Sequence, residues 1–162
     1  MHILRADLFS VAVLLQANAI AITTNAILRA DRKAVMGAGV ARAAAQRWPD
    51  LPTLLAQSLA RVGNHVAVLK TIPGICLNNN TFLSQLTVVA FPTKEHWKDP
   101  SRLDLIARSA QELRDLADDQ DWHRVVAPPF GCGHGQLEWA AVEPILSPIL
   151  DDRFQICFLP RR

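Results

Sequence analysis

The feature that most constrains this fold is the alternation of short apolar runs with helical patterns along the chain. Runs typical of strands occupy residues 2–6, 19–24, 65–72, 86–91, 124–129 and 153–159. Most are continuous rather than alternating, as expected of strands that are buried on both faces of a sheet. Helical patterns occupy residues 40–48, 54–61, 101–119 and 137–150. This order predicts a three-layer α/β fold.

The helical pattern at residues 101–119 is the clearest. Ser101 and Asp104 follow Pro100 and resemble a capping box, in which two side chains satisfy free amide groups at the start of a helix. One apolar face then predicts which side packs against the sheet. Its members are Leu103, Ile106, Ala107, Ala110, Leu113, Leu116 and Ala117.

Length and composition predict one globular domain spanning residues 1–162. Half of the 162 residues are hydrophobic and 20% are charged, and the net charge of +2 neither supports nor excludes nucleic acid as a partner. The apolar run near the amino terminus follows a single basic residue, Arg5, and Asp7, so we interpret it as the first strand and helix rather than a secretion signal. We expect a monomer.

Membrane, disulfide and zinc classes are not expected. No apolar stretch approaches the roughly 18 residues that a membrane span requires. Cys76, Cys132 and Cys157 are an odd number at wide spacing without a CxxC pair, which favours neither a disulfide framework nor a metal site. These observations favour a reducing, cytoplasmic setting without a metal or cofactor.

Two glycine-bearing loops each follow a strand and open a helix. The first carries Gly37 and Gly39, and the second carries Gly131, Gly133 and Gly135. Glycines let successive amide groups converge on an anion at a helix amino terminus, so two such loops suit a pyrophosphate. Neither loop fits a Walker A motif or a GxGxxG dinucleotide fingerprint, and a single glycine loop of this kind is often only a tight turn.

The strand at residues 86–91 runs into the stretch "FPTKEHW", which places Lys94 where a buried strand ends. A lysine there could be a solvated loop charge, a phosphate contact or a nucleophile. Because ligands collect at the carboxyl ends of parallel strands, we expect this end of the sheet to carry the site.

Four blocks in order resemble a known family: "RADLF", "ITTNAILRADRKAVMGAGVA", "VVAFPTKEHW" and "APPFGCGHGQLEW". Together they are similar to the macrodomains, which bind ADP-ribose, and most of all to the branch that holds the DarG-type DNA ADP-ribosyl glycohydrolases and the terminal ADP-ribose protein glycohydrolase. The resemblance spans about residues 3–158. It implies a three-layer α/β/α macrodomain with a mixed, mostly parallel central sheet.

The resemblance implies a role for each block. Asp7 would accept the adenine amino group, although a helix cap is an equally ordinary role for it. Asn25 would contact and position the distal ribose, although it could be a plain turn residue. The ligand-binding set implied by the four blocks is Asp7, Leu8, Thr24, Asn25, Met36, Gly37, Ala38, Gly39, Val40, Ala41, Pro129, Phe130, Gly131, Cys132, Gly133, His134 and Gly135. Residues 37–41 would wrap one phosphate and residues 130–135 the other, with Cys132 packed in its loop rather than acting as a nucleophile.

Lys94 matches the catalytic lysine of the glycohydrolases in this branch. The resemblance implies that it attacks the anomeric carbon of the distal ribose or stabilises the reacting sugar. A free lysine has a pKa of about 10.4, so only about one in 2,500 is neutral at pH 7. Burial would lower the pKa of Lys94 and a nearby pyrophosphate would raise it. If burial has the larger effect, Lys94 can act as a nucleophile, and if the pyrophosphate does, Lys94 is a charged contact.

The second loop departs from the protein-directed glycohydrolase of this branch. That enzyme has an aspartate just after the "GCG" segment, where this chain has His134 and Gly135. The difference favours the DarG-like comparison and hence a nucleic-acid acceptor. Histidine titrates near neutral pH, so His134 could exchange a proton with the leaving group or with water, or it could simply face solvent or a phosphate. We expect His96 to orient its loop together with Trp97.

Aromatic residues could serve as stacking platforms, but they pack in cores or at rims more often. We expect Trp48 to be structural and Trp139 to anchor the second glycine loop. Phe130, inside that loop, is the preferred aromatic for ligand contact.

Two main functions remain open. The first is an ADP-ribosyl glycohydrolase that removes ADP-ribose from a macromolecule, with thymidine in DNA as the preferred acceptor and protein as the other. Lys94, Asn25 and His134 are its candidate catalytic residues. The second is a non-catalytic reader of ADP-ribose. A third reading is a phosphatase or deacylase acting on ADP-ribose derivatives.

Overall fold

The computed structural model describes residues 1–76, 82–83 and 85–160. Its helices and strands alternate as the apolar pattern predicts. In chain order they are β1 (His2–Arg5), α1 (Leu8–Leu14), β2 (Ala19–Thr24), α2 (Gly39–Arg47), α3 (Leu51–Val62), β3 (Ala67–Ile72), β4 (Ile75–Cys76), β5 (Phe82–Leu83), β6 (Leu86–Pro92), α4 (Leu103–Asp119), β7 (Val125–Ala127), α5 (Trp139–Leu146) and β8 (Phe154–Phe158).

Six strands form the central sheet in the order β1-β8-β7-β2-β6-β3. All neighbouring pairs are parallel except β3, which runs antiparallel to β6 at one edge. The prediction of a mixed, mostly parallel sheet is therefore confirmed. The parallel order brings the carboxyl ends of β2, β6 and β7 side by side. The loops that follow these three strands therefore surround one cavity.

Helices cover both faces of the sheet, and side chains of each central strand pack against the helices on both sides. Successive side chains of a strand point to opposite faces. In β2, Ile20 and Ile22 pack into a core cluster with residues of α1, α2 and α3, whereas Ala19 and Ala21 pack into a second cluster with residues of α4 and α5. All four are fully buried. The predicted three-layer α/β/α architecture is confirmed.

The edges of the sheet differ from its centre. β2 and β6 are buried almost throughout, as their continuous apolar sequences predict. The edge strand β3 alternates buried and exposed residues over its first half, and β1 is mostly exposed. An edge strand has a neighbour on one side only, so its outer residues remain in contact with water.

The predicted capping box at the start of α4 is wrong. The N-cap residue is Arg102, which makes no side-chain capping hydrogen bond. Asp104 instead pairs with the Arg102 guanidinium, whose Nε lies 3.1 Å from the Asp104 carboxylate. Ser101 is buried beneath the second glycine loop, and its amide donates to the carbonyl of Gly135 at 2.8 Å. Tertiary contacts of Ser101 thus replace the local cap.

Two helix boundaries also differ from the pattern. α3 begins at Leu51, three residues earlier than predicted, because Pro52 fits the first turn, where a missing amide hydrogen is tolerated. α5 covers Trp139–Leu146, inside the predicted 137–150. Its start is delayed because the amide of Leu137 is used by the carbonyl of Gly131 at 3.0 Å, which closes the preceding loop.

No helix within the described residues is long and apolar enough to cross a membrane. Cys132 and Cys157 carry free thiols, and the expectation for the Cys76 side chain lies outside the described residues. In the same part of the chain, no group of three histidine, cysteine or acidic side chains is arranged to hold a metal ion.

Candidate functional site

A cavity of about 910 Å³ opens at the carboxyl ends of β2, β6 and β7. The start of α1 and both glycine loops complete its walls. The site residues inferred from sequence that line this cavity are Asp7, Leu8, Thr24, Asn25, Gly37, Ala38, Gly39, Val40, Ala41, Lys94, Pro129, Gly131, Cys132, Gly133, His134 and Gly135. Segments that lie far apart in the sequence thus meet at one site.

Two of the inferred ligand contacts lie outside the cavity wall. Phe130 is fully buried and stacks on Phe91, with 3.7 Å between ring centroids and 10° between ring planes. Its ring is therefore part of the core, which corrects the expectation that it contacts a ligand. Met36 is 7% exposed and packs in the other core cluster.

Lys94 is a buried cation in the cavity wall. It lies two residues after the end of β6 and is only 8% exposed. Its Nζ donates to the backbone carbonyls of Asp99 at 2.6 Å and His134 at 3.1 Å. Burial lowers the pKa of Lys94 below its ordinary value, and the nearby Asp99 carboxylate opposes this more weakly. In the free protein, burial therefore has a larger effect on this pKa than the Asp99 carboxylate.

The two carbonyls matter for the chemistry of the amine. A neutral amine has two hydrogens and one lone pair, and two carbonyl acceptors can take both hydrogens. The lone pair then has no competing donor among the described contacts of Nζ. The same carbonyls can also hold a charged ammonium, whose third hydrogen would face the cavity. The geometry therefore accommodates either a nucleophile or a fixed charge.

Asn25, at the end of β2, is 9% exposed and holds its own loop together. Its Oδ1 accepts from the amide of Ile27, and its Nδ2 donates to the carbonyl of Val35, both at 3.0 Å. These contacts use one hydrogen of Nδ2 and one lone pair of Oδ1, so the second hydrogen of Nδ2 can donate to another group. Asn25 is thus both a turn residue and a cavity residue.

The first glycine loop leads into α2 with open space in front of it. Gly39 has φ +53°, a backbone conformation that glycine adopts readily. A Cβ added to Gly37 would meet no atom within 4 Å. Ala38, the N-cap, makes no side-chain capping bond, and the first turn of α2 has no acidic residue. The amides of this first turn have no partner inside the helix, so they suit an anion.

The second glycine loop is packed tightly on its inner side. Gly131 has φ +75°, and a Cβ at Gly135 would lie 2.3 Å from both the Gly131 carbonyl oxygen and the Ser101 Oγ. Gly133 is exposed, and a Cβ there would meet nothing within 4 Å. Glycine is thus required for packing at Gly131 and Gly135, whereas Gly133 faces open space.

His134 joins the two loops. Its Cδ2 lies 3.3 Å from the position that a Cβ on Gly39 would take, and its carbonyl accepts from Lys94. The imidazole is exposed. The ring of His134 therefore lies beside Gly39 of the first loop, and its backbone carbonyl holds Nζ of Lys94. Its residue type does not reveal this structural contribution.

Asp7 caps α1. Its Oδ1 accepts from both the amide and the hydroxyl of Ser10 at 2.9 Å. The ordinary role weighed from sequence is thus present in the structure. Asp7 also lines the cavity, so its second carboxylate oxygen remains to contact a ligand.

Cys132 is unsuited to nucleophilic chemistry. Burial, assisted by the Glu138 carboxylate, raises the pKa of its thiol to about 11. The Sγ lies 3.4 Å from the carbonyl of Phe130. A thiolate is needed for nucleophilic attack, so this cysteine serves packing within its loop.

Sequence reasoning missed several cavity residues. The sequence predicts that Trp97 orients its loop and that Ser101 caps a helix, yet both residues line the cavity. Cys157 and Leu159, from the end of β8, line it as well. Their positions follow from the strand order, because β8 lies between β1 and β7. No local motif signals that adjacency.

Comparison with known families decides the classification. A family model described as the Macro domain matches residues 25–146, which is most of the chain. The chain belongs to the macrodomain family. Its similarity to the DarG proteins is also apparent in individual relatives.

Among curated proteins, the macrodomain is 29% identical over 126 residues to the DNA ADP-ribosyl glycohydrolase of Mycobacterium tuberculosis (strain ATCC 25618 / H37Rv). The match covers 72% of this chain and 34% of the relative. The chain therefore spans about a third of the length of that relative.

Solved structures share the fold. The macrodomain of Thermus aquaticus DarG superposes with a TM-score of 0.72 at 22% identity, covering 98% of this chain and 97% of that one. Thermosipho africanus DarTG in complex with ADP-ribose gives a TM-score of 0.69 at 23% identity, covering 96% of this chain and 41% of that one.

Proposed function

We propose that this macrodomain binds ADP-ribose in the cavity and hydrolyses the bond that joins the distal ribose to a base of DNA. The observation that carries the proposal is the position of Lys94, a buried amine whose pKa is lowered by burial, in the wall of a cavity with two glycine loops. A pyrophosphate fits the loops, because amide groups at the start of a helix favour anions. The kinship with DarG supports DNA as the acceptor.

In this proposal, the ligand lies across the carboxyl ends of the strands. The first loop and the start of α2 bind one phosphate, and the second loop binds the other. Asp7 accepts the adenine amino group with the carboxylate oxygen that does not cap α1. Asn25 donates its remaining amide hydrogen to the distal ribose. The anomeric carbon of that ribose then faces Lys94.

The reaction proceeds through the neutral amine of Lys94. Its lone pair forms a bond to the anomeric carbon while the bond from that carbon to the base nitrogen breaks, and the base leaves with the electron pair. Once that bond has broken, the base anion takes up a proton from the exposed His134 imidazolium. Water then attacks the anomeric carbon, the bond to Nζ breaks with its electron pair returning to the nitrogen, and the proton lost by the water returns to His134.

A bound pyrophosphate opposes this chemistry. Negative charge favours the ammonium form, so ligand binding raises the pKa of Lys94 relative to the free protein. The burial that lowers the pKa must outweigh this effect for rapid turnover. If it does not, Lys94 remains a charged contact and the protein is a reader of ADP-ribose. The two carbonyl acceptors on Nζ are the specific observation that favours this second candidate.

The experiment that tests the proposal is incubation with a thymidine-ADP-ribosylated oligonucleotide, followed by quantification of free ADP-ribose. We expect release of ADP-ribose and of an unmodified oligonucleotide. An ADP-ribosylated protein serves as the comparison acceptor. Binding of ADP-ribose in calorimetry without release from either acceptor would establish the reader instead. Absence of any ADP-ribose binding would refute both.

A further inference from the structure

Trp97 differs from the other tryptophans of this chain. It is 48% exposed and lines the cavity. Trp122 is buried in the core, Trp48 packs against Phe9, and Trp139 packs against Phe158. Isolated exposed hydrophobic residues are ordinary, but this one stands at the mouth of a cavity and three residues after Lys94. In the proposed function, this position brings Trp97 close to the acceptor that is attached to the distal ribose.

The loop that carries Trp97 is braced on two sides. The carbonyl of Glu95 accepts from the amide of Ala26 at 2.9 Å, and the Glu95 carboxylate accepts from Nδ2 of Asn64 at 2.9 Å. The amide of Asp99 donates to the carbonyl of His96 at 3.1 Å and closes a turn around the indole. The backbone that carries the indole is thus held in place by these contacts, which reduces the entropy lost on binding.

The groups beside the indole are suited to a nucleic acid. The His96 ring stacks on Trp97 with 5.7 Å between centroids and 24° between planes. Nζ of Lys98 lies 5.1 Å from the centre of the indole. Lys98 is exposed, and the described residues include no carboxylate paired with it. Because Lys98 is exposed and lies over the indole, its ammonium can exchange the indole face for a strand phosphate when a base stacks there.

We propose that Trp97 and Lys98 form an acceptor subsite in which Trp97 stacks on a nucleobase of the ADP-ribosylated strand and Lys98 pairs with a phosphate of that strand. This inference rests on the proposed function, because it places the acceptor beside Lys94. Stacking on an indole favours a base over the aliphatic or carboxylate side chain of a protein acceptor. The subsite thus makes the macrodomain selective for modified single-stranded nucleic acid.

The test compares binding of free ADP-ribose with binding of an ADP-ribosylated single-stranded oligonucleotide. Lys94→Ala protein is used so that the oligonucleotide stays intact. We expect the oligonucleotide to bind about tenfold to hundredfold more tightly than ADP-ribose, in keeping with the effect of one stacked base. Adding Trp97→Ala removes this increment but leaves the affinity for ADP-ribose within about twofold, and Trp97→Phe retains most of it.

Lys98→Glu separates the phosphate contact from stacking. It should reduce the increment and weaken its dependence on salt, because one phosphate contact is lost. Arg61→Glu is the matched control, since Arg61 is an exposed basic residue at the end of α3 outside the cavity lining. An equal loss in both charge variants would assign the effect to net charge and overturn the role of Lys98.

The outcomes separate this subsite from the proposed hydrolysis. An oligonucleotide that binds no more tightly than ADP-ribose overturns the subsite, even if the wild-type protein releases ADP-ribose from it. If the oligonucleotide binds more tightly than ADP-ribose but the wild-type protein releases no ADP-ribose from it, the subsite is supported and hydrolysis is refuted. If Trp97→Ala weakens both ligands equally, the indole belongs to the ADP-ribose site and the proposal fails. Thermal unfolding of each variant checks that the fold is retained.

Discussion

At the scale of single residues, the position of Lys94 depends on the burial of the strand that precedes it. β6 is buried almost throughout, and Lys94, two residues after its end, is itself buried. The ammonium form loses hydration there, and the pKa falls. Two backbone carbonyls replace part of the lost hydration without supplying a full negative charge. Burial thus lowers the pKa of Lys94, while the two carbonyls fix the position of its Nζ.

Replacing Lys94 with alanine should separate binding from turnover. We expect Lys94→Ala to abolish release of ADP-ribose while keeping the dissociation constant for ADP-ribose within about tenfold, because only the reacting amine is lost. Lys33→Ala is the control, since Lys33 is exposed and outside the cavity lining. Unchanged turnover in Lys94→Ala would contradict a catalytic role.

The pH dependence of turnover should report the pKa of Lys94. Only the deprotonated amine attacks, so kcat/KM is expected to rise with pH and level off above a pKa that lies below the ordinary 10.5. The apparent pKa from kcat should be higher, because bound pyrophosphate favours the ammonium form. Lys94→Arg, which stays charged, should be inactive throughout. A rate that falls as pH rises would contradict the neutral-amine mechanism.

At the scale of elements, the second glycine loop is shaped by its contact with the start of α4. Ser101 and Gly135 are bonded through the backbone, and their side-chain positions leave no room for a Cβ on Gly135. Gly131 combines a positive φ with the same crowding. Close packing on the inner side presses this loop against the body of the fold while its outer side, at Gly133, faces open space. The loop is thus held in place before a ligand binds.

Two alanine substitutions in this loop should differ in their effect on stability. Gly135→Ala is expected to lower the free energy of unfolding by about 1–3 kcal/mol, because the added methyl group overpacks the contact with Gly131 and Ser101. It should also weaken ADP-ribose binding by displacing the loop. Gly133→Ala should be neutral or slightly stabilising, because its φ is not positive and the space is open. Urea unfolding of both variants measures the difference, and equal effects would refute this account.

At the scale of the whole molecule, ion pairs connect the end of α4 with the segment before β8. Arg153 pairs with Asp118 of α4 at 2.5 Å and with Asp151 at 2.9 Å. Hydrogen bonds from Arg153 lower the pKa of both carboxyl groups. Arg114 of α4 adds contacts to the same two aspartates. These contacts join elements that lie on the same side of the sheet.

The ion pairs should make stability depend on acid pH. A carboxyl group whose pKa is lowered by folding stabilises the native state above its unfolded pKa, about 3.9 for aspartate. This contribution is lost as pH falls through the lower folded values. Arg153→Met should therefore unfold at a lower urea concentration than wild type at pH 7, and the difference should shrink below about pH 4. Arg61→Met, outside these pairs, is the control, and a difference that persists in acid would contradict the assignment.

Much of the fold could be predicted because it depends on local patterns. The central strands β2 and β6 are continuous apolar runs whose bounds the sequence places within one residue. The glycine loops and the strand-end lysine are also local features, and the order of the parallel strands brings them to one edge of the sheet. The short strands β4 and β5 were missed, since two residues are too few for a periodic signal.

What the sequence by itself determined is the layered α/β architecture and the set of backbone loops around the cavity. Only the tertiary structure decided how individual side chains are used. Phe130 stacks on Phe91 in the core, Ser101 lies beneath a loop rather than capping a helix, and Trp97 faces the cavity. Such outcomes depend on neighbours far away in the chain. Lys94 shows the same limit, because its pKa is set by burial and by carbonyls that only the folded chain brings together.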